Sequence, residues 1–376
     1  MLAVGCDRLN PPKIETVYVS TGKVYLRDRV AAVSNRVTEV VNGDPLQVLE
    51  HGRRFLRVKT AKNQIGWIEE RYVIDAKTYD AFAKLAADYK QQPVTAHATL
   101  RDDLSMHIVP GRDTEHFYLL PGNTKVDLLA RASVAKASTA TVAPLARLAA
   151  PKPPAPPAKN APLAPKASAP PQVVPEPPEP AAPTMEDWWL ARDPQGHAGW
   201  LLASRVDVDV PDEISAYGEG QLFVGVWELD KVTDPKADTP DHRIIEYLTI
   251  LAPPHSGLPF DFDQVRVFTW NRKMHRYETG FRLHPIQGFL PVQLFTQATP
   301  AGNVPAFSFM LASGGNVTTD SATGIMRPVS PRTIQYAKFD NMLKRIGPDT
   351  GPIPTMHEGD KKDKEEKGKG KGKKRK

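Results

Sequence analysis

The stretch that decides the fold reads Phe55-Leu-Arg-Val58, then Gly66-Trp-Ile68, then Arg71-Tyr-Val73. Each run is short, alternates apolar and polar side chains, and is bounded by turn-forming residues, which is typical of strands. Upstream, Val24-Tyr-Leu-Arg-Asp28 and Gly43-Asp-Pro-Leu-Gln-Val-Leu49 continue the pattern. Five short strands within about 55 residues predict a small antiparallel barrel, because such a barrel closes on few strands.

The same order of runs occurs again further along the chain. The second copy reads Ala98-Thr-Leu-Arg-Asp102, Gly122-Asn-Thr-Lys-Val-Asp-Leu128, Trp188-Trp-Leu-Ala191, Gly199-Trp-Leu201 and Arg205-Val206. Gly66 and Gly199 precede equivalent tryptophans and are predicted to allow a tight turn or a close approach of strands. This order resembles the bacterial SH3 domain, with copies over 15–75 and 93–210. The resemblance implies two SH3-like barrels that bind cell-wall peptide or polysaccharide, or a protein partner.

Three tryptophans are the candidate ligand contacts. Trp67 and Trp200 are expected to cover one end of each small core, and they are also candidates for contact with a ligand. Trp188 precedes Trp189 on a predicted strand, and Trp189 is assigned to the core. Alternation therefore predicts that Trp188 faces outward, and this makes Trp188 the better candidate for a ligand contact.

Two segments interrupt the barrels. Apolar residues at helical spacing predict a linker helix within 76–92, packed on the barrels. Within the second copy, an insertion over 135–186 is rich in Ala, Pro and Lys. That composition cannot make a core, so the insertion is predicted to be extended or disordered, either as a spacer or as a tolerated surface expansion.

A third module spans 219–345 and has a different pattern. Strands are predicted over the segments 222–229, 244–251, 265–270, 277–283, 288–295, 306–311 and 333–339, separated by turn residues. These predict an antiparallel sandwich or irregular barrel. The chain as a whole is therefore expected to be all-β: two small SH3-like barrels followed by this antiparallel domain.

Catalytic chemistry is not indicated. His242, His255, His275 and His284 are scattered through the third module, and no zinc-binding, nucleophile-elbow or phosphate-binding motif accompanies them. Cell-wall peptidases that carry bacterial SH3 domains often use a Cys–His pair, but the single cysteine, Cys6, precedes every predicted domain. No catalytic residue, metal site or cofactor is predicted.

The two ends of the chain bear on where the protein is located in the cell. The opening Met-Leu-Ala-Val-Gly-Cys6 resembles the end of a lipoprotein signal peptide, which would make Cys6 a lipidated anchor within the segment 1–14. A charged start and a long apolar run are missing from it. The tail, 346–376, is predicted to be disordered, and from 360 onward it holds ten Lys or Arg against four Asp or Glu. Residues 360–376 therefore carry the whole net charge of +6, and the tail is a candidate contact for anionic polymers.

These features predict a non-enzymatic binding or scaffold protein of the cell envelope, periplasmic or anchored through Cys6. Its partner would be a cell-wall polymer or an envelope protein. Specific binding of nucleic acid is not indicated, because the charge of the chain outside residues 360–376 balances to zero. Two alternatives stay open: an envelope hydrolase whose third module is catalytic, and an intracellular adaptor if no signal peptide is encoded upstream of Met1.

Overall fold

The computed structural model describes residues 15–136, 183–237, 239–300, 302–313 and 316–354. These residues are mostly strand, and all but one short pair of strands lie in four larger antiparallel sheets, so the all-β prediction is confirmed. Within the described ranges, no helix is both long and apolar enough to cross a membrane. Cys6, most of the insertion and the basic tail lie outside the described residues.

The first sheet contains seven antiparallel strands rather than the five predicted. They are β1 (Thr16–Val19), β2 (Lys23–Arg27), β3 (Arg36–Val41), β4 (Pro45–His51), β5 (Phe55–Thr60), β6 (Ile65–Glu69) and β7 (Val73–Asp75). They pair in the order β3-β2-β6-β5-β4-β1-β7, and a 3-10 turn at Glu70–Tyr72 leads into β7. All seven strands contribute apolar side chains to one core, so the sheet curls into a barrel, here called the first barrel.

The second sheet repeats this strand order. Its strands are β8 (Ala96–Leu100), β9 (Leu104–His107), β10 (His116–Leu120), β11 (Lys125–Ala135), β12 (Met185–Arg192), β13 (Ala198–Leu202) and β14 (Val206–Val208). They pair in the order β10-β9-β13-β12-β11-β8-β14, so each strand has its counterpart seven places earlier. We call this sheet the second barrel. Its hydrogen-bonded arms β11 and β12 flank the insertion.

The order of strands corrects one equivalence expected from the sequence. The run at 98–102 was matched to the run at 24–28, but it lies in β8, whose place in the sheet corresponds to β1. The counterpart of β2 is instead β9, and both β2 and β9 pair with the strand that carries the Gly-Trp element. The short motif Leu-Arg-Asp occurs in both places, but it does not mark equivalent strands.

The packing confirms that Gly66 and Gly199 allow a close approach of neighbouring strands. A Cβ atom on Gly66 would lie 2.8 Å from the Cβ of Leu26, and one on Gly199 would lie 2.5 Å from the Cβ of Met106. Both distances are shorter than real carbon contacts allow. The Gly-Trp strand can therefore approach its neighbour only because this position lacks a side chain.

Helix α1 (Ala76–Asp88) joins the two barrels. It begins at Asp75, whose side chain accepts a 2.7 Å hydrogen bond from the backbone N–H of Thr78. Tyr79 then stacks on Tyr18 of the first barrel at 3.8 Å between ring centroids, and it meets Phe117 of the second barrel edge-on at 5.7 Å. One helical face thus contacts both barrels.

The third module is a sandwich of two four-stranded antiparallel sheets. One sheet runs in chain order through β15 (Leu222–Thr233), β16 (Arg243–Ala252), β17 (Gln264–Asn271) and β18 (Arg276–Leu283). The other runs through β19 (Gly288–Thr299), β20 (Gly302–Ala312), β23 (Pro331–Phe339) and β24 (Met342–Ile346), with a hairpin of β21 (Val317–Thr319) and β22 (Met326–Pro328) beside it. A short helix, α2 (Asp212–Ser215), precedes the sandwich.

The core of the sandwich is continuous with that of the second barrel. Phe281 and Tyr336 face each other across the two sheets, with ring centroids 4.8 Å apart. The same apolar cluster includes Trp189 and Leu201 of the second barrel. Strands occupy all seven segments predicted for this module, and β21, β22 and β24 are additional.

Candidate functional site

The structure separates the three candidate tryptophans. Trp188 is 2% exposed and Trp200 is fully buried, whereas Trp67 is half-buried at an open surface. Trp188 does point away from the core that holds Trp189, as alternation predicts, but it does not reach solvent. Its expected exposure was wrong, because alternation fixes the side of a strand and not what packs on that side.

Helix α1 is what covers this face of the second barrel. Leu85 and Tyr89, at the end of the helix, pack against the cluster that contains Trp188 and Trp200. Ile325, from the turn between β21 and β22, packs against the same cluster. A ligand could reach either tryptophan only by displacing these elements, so Trp67 alone is accessible in this structure.

Trp67 lies in a groove on the first barrel, here called the Trp67 groove. It has a volume of about 420 Å³. Its walls are formed by Lys23, Val24, Tyr25, Arg27, Ser34, Arg36, Phe55, Trp67, Ile68, Glu69 and Tyr72. Four of these are aromatic and three are cationic, so the groove combines flat apolar surfaces with positive charge.

Strand alternation places these side chains on one side of the barrel. On β2, Leu26 is fully buried in the core, so its neighbours Tyr25 and Arg27 project outward. On β6, Gly66 and Ile68 face the core, so Trp67 projects to the same side, and it pairs with Arg27 across the two strands. Sequence reasoning missed Tyr25, although its alternation with Leu26 was sufficient to find it.

Contacts among the lining residues hold the groove in shape. The guanidinium of Arg36 lies 4.5 Å from the centroid of the Tyr25 ring, a cation–π contact. The guanidinium of Arg27 donates a 2.9 Å hydrogen bond to Ser34 Oγ at the end of the β2–β3 loop. These contacts orient one aromatic ring and one cation before any ligand arrives.

At the rim of the Trp67 groove, one of the three positive charges is paired with a carboxylate. Lys23 and Glu39 form a 2.8 Å ion pair on neighbouring strands. Their hydrogen bond raises the pKa of Lys23 and lowers the pKa of Glu39, so both stay charged at neutral pH. Arg27 and Arg36 make no ion pair within the described residues, which leaves two cations available to a ligand.

A groove of this kind can bind an extended, partly polar chain. Aromatic faces supply contact area at low cost in side-chain entropy, and guanidinium groups donate hydrogen bonds to carbonyl or carboxylate oxygens.

Two histidines of the sandwich each contact one carboxylate. His275 Nδ1 lies 2.8 Å from Asp234 Oδ2, and His284 Nε2 lies 3.2 Å from Asp263 Oδ2. The ring of His242 contacts a backbone carbonyl instead. In the described part of the chain, no group of three or more His, Cys, Asp or Glu side chains is placed to hold a metal ion.

Comparison with known proteins bears on the first barrel. Residues 22–74 match the SH3_3 family, described as the bacterial SH3 domain, which confirms the resemblance for this part of the chain. All of the residues that line the Trp67 groove lie within the matched region. No curated protein matches the chain.

Solved structures offer only distant similarity. One is the structure of NlpC2 from Trichomonas vaginalis, with 9% identity over 61% of this chain and 61% of that chain, at a TM-score of 0.15. Another is a crystal structure of an NlpC/P60 family protein from Bacillus cereus ATCC 10987, with 10% identity over 56% of this chain and 64% of that chain, at a TM-score of 0.21. The chain spans less than two thirds of either structure, and TM-scores this low carry no argument about fold or activity.

Proposed function

We propose that this chain is a non-enzymatic binding protein of the bacterial cell envelope whose Trp67 groove holds a cell-wall polymer or an envelope protein. The observation that carries the proposal is an open groove with four aromatic and three cationic side chains inside a bacterial SH3 domain. Bacterial SH3 domains commonly bind cell-wall components, which supports an envelope location.

In this proposal the second barrel is a bacterial SH3-like domain that has become structural. The shared strand order supports its assignment as a second copy. Trp67 and Trp200 occupy equivalent positions on the Gly-Trp strands, but only Trp67 is open, because α1 and Ile325 pack on the face that holds Trp200. The second barrel then serves to fix the first barrel to the sandwich.

Two contributions to binding are proposed from the sequence alone. Cys6 would anchor the chain to a membrane as a lipidated residue, and the Lys-rich tail would add salt-sensitive attraction to anionic polymers. Both lie outside the described residues. The tail must therefore be separated experimentally from the groove.

The test is retention of purified protein on isolated peptidoglycan at low and high salt. Four proteins are compared: the full chain, a variant lacking residues 359–376, Trp67→Ala and Arg36→Glu. Leu49→Ala is the matched control, since Leu49 is exposed on the same barrel but outside the Trp67 groove.

We expect the truncated protein to be retained on peptidoglycan at high salt. Retention should be lost in Trp67→Ala and Arg36→Glu and kept in the control, Leu49→Ala. Arg36 is exposed, so Arg36→Glu tests the groove even if Trp67→Ala fails to fold. Retention that needs the tail and vanishes at high salt would contradict recognition of the wall by the groove.

A further inference from the structure

A buried cluster of one lysine and two carboxylates connects the two sheets of the sandwich. Lys338 projects from β23, and its Nζ atom lies 2.6 Å from Asp230 Oδ2 and 2.7 Å from Glu246 Oε2. Asp230 and Glu246 lie directly opposite each other on β15 and β16. Lys338 is 4% exposed and Glu246 is fully buried, so the three groups meet inside the sandwich rather than on its surface.

Strand alternation explains why these side chains meet. On β16, Leu248 and Ile250 face the core between the sheets, so Glu246, two residues before Leu248, faces the same way. On β23, Tyr336 packs in that core, and Lys338 lies two residues further along the strand. Charged groups therefore occupy positions at which a sandwich normally carries apolar side chains.

An ion pair alone is a costly way to fill these positions. Removing charges from water is expensive, and the attraction between buried ions often fails to offset that cost. Two carboxylates here meet one ammonium group, and within the described residues neither carboxylate pairs with a second cation. A reaction that removes one positive and one negative charge together would relieve most of this cost.

We infer that the side chains of Lys338 and Asp230 are joined by an amide bond that forms within the folded chain. Nζ of Lys338 attacks Cγ of Asp230, and one C–O bond of the carboxyl group breaks. Two of the three ammonium protons leave with that oxygen as one molecule of water, and the third stays on the amide nitrogen. The step balances without an oxidant, a reductant or any other reactant.

The positions of the reacting atoms suit this step. Because Oδ2 is bonded to Cγ, a nitrogen 2.6 Å from that oxygen lies within about 4 Å of the carbon that it attacks. Groups held together in this way react far faster than the same groups free in solution. Asp230 also lines a cavity of about 880 Å³ at the end of the sandwich, through which the released water can leave.

Glu246 is placed to transfer protons between the reacting groups. Burial lowers the pKa of Lys338, but the contacts with the two carboxylates outweigh burial and raise the pKa overall, so the resting side chain is an ammonium. Attack requires the neutral amine, so a proton must first pass to a carboxylate. Glu246 Oε2 is close enough to accept it from Nζ and to deliver it to the departing oxygen.

The surroundings of the two carboxylates assign their roles. The backbone N–H of Trp270 donates a 2.9 Å hydrogen bond to Glu246 Oε1, which fixes that carboxylate beside the lysine. Glu246 is fully enclosed, whereas Asp230 is half-buried and borders the cavity. Asp230 is therefore the group that reacts, and Glu246 the group that moves protons.

The amide bond would tie the two sheets together covalently. It joins β15 of one sheet to β23 of the other, which are far apart in the chain. A cross-link stabilises a fold mainly by restricting the unfolded chain, and a longer closed loop gives a larger effect. This inference concerns the sandwich and does not depend on the function proposed for the Trp67 groove.

The test is the intact mass of the purified full chain, followed by tandem mass spectrometry of its tryptic peptides. The variants are Asp230→Asn, Lys338→Arg and Glu246→Gln. Lys344→Arg is the matched control, because Lys344 is an exposed lysine on the neighbouring strand β24.

We expect the full chain to be lighter than its sequence by one water, and two peptides to be joined through Lys338 and Asp230. Asp230→Asn should reach the same product mass, because its side-chain nitrogen leaves as ammonia. Lys338→Arg and Glu246→Gln should keep their full sequence masses. Lys344→Arg should lose one water, as the parent chain does.

A full chain at its sequence mass, cleaved by trypsin after Lys338, would overturn the inference. Loss of water that persists in Lys338→Arg would overturn it too, because the bond would then lie elsewhere. A link from Lys338 to Glu246, or a link that forms equally well in Glu246→Gln, would refute the roles assigned to the two carboxylates.

Discussion

At Gly66 and Gly199, barrel closure depends on the absence of a single methyl group. In both barrels the glycine opposes a side chain of the paired strand, Leu26 in the first and Met106 in the second. The tryptophan that follows is thereby brought against its neighbour. In the first barrel this sets the position of Trp67 in its groove.

We predict that Gly66→Ala and Gly199→Ala each lower the free energy of unfolding by about 1–3 kcal/mol, because the added carbon forces apart tightly packed strands. Gly122→Ala is the matched control, since a Cβ there would meet its neighbours at an ordinary 3.4 Å. Thermal unfolding followed by circular dichroism measures the difference. Equal stability of Gly66→Ala and Gly122→Ala would contradict the close approach.

The buried carboxyl group of Asp261 should give the protein an unusual dependence of stability on pH. It is 3% exposed, and burial raises its pKa from an ordinary 3.8 to about 6. Between these values the folded protein binds more protons than the unfolded chain. The contribution of Asp261 to stability therefore falls as pH rises from about 4 to 6, and stays low above that range.

Asp261→Asn should therefore stabilise the protein at pH 7–8 by about 2 kcal/mol, and the difference should vanish below pH 4. An asparagine can still accept the 2.8 Å bond that Leu290 N–H donates to this side chain. Melting temperatures over that pH range measure the effect, with the surface variant Asp113→Asn as control. A gain in stability that does not change with pH would refute the assignment.

Among the elements, helix α1 determines which tryptophan is accessible. Its aromatic face joins the barrels through Tyr18, Tyr79 and Phe117, and its end packs on the cluster that buries Trp188 and Trp200. The sequence predicted the helix and its packing on the barrels. It did not predict which barrel face would be covered, because that depends on contacts between residues far apart in the chain.

The start of α1 offers a test at this scale. Asp75→Ala should lower the free energy of unfolding by about 1 kcal/mol, because the hydrogen bond to Thr78 N–H is lost. Asp75→Asn keeps an acceptor oxygen and should lose much less. If the two substitutions have equal effects on the melting temperature, the cap does not contribute as described.

Strand alternation allowed much of the sandwich to be predicted and left other strands undetected. Strand β16 reads Arg-Ile-Ile-Glu-Tyr-Leu-Thr-Ile-Leu-Ala, and its apolar run was sufficient to find it. Strand β3 reads Arg-Val-Thr-Glu-Val-Val, and only Val40 is buried, so its apolar signal was weak. An edge strand with one buried residue resembles a loop in a sequence, which explains why β3 was missed.

For the whole molecule, the second barrel and the sandwich share one core, and α1 attaches the first barrel to them. This arrangement leaves the Trp67 groove open on the first barrel. The Trp67 groove could be found in part from the sequence, because its residues lie on neighbouring strands of a repeated motif.

The most direct test of the account is backbone hydrogen exchange of the full chain, with and without soluble cell-wall fragments. We predict slower exchange in β2, β6 and the β2–β3 loop, the elements that line the Trp67 groove. We predict no change in exchange on the face of the second barrel that buries Trp188 and Trp200. Binding that leaves exchange in the first barrel unaltered would contradict the claim that this groove recognises the cell wall.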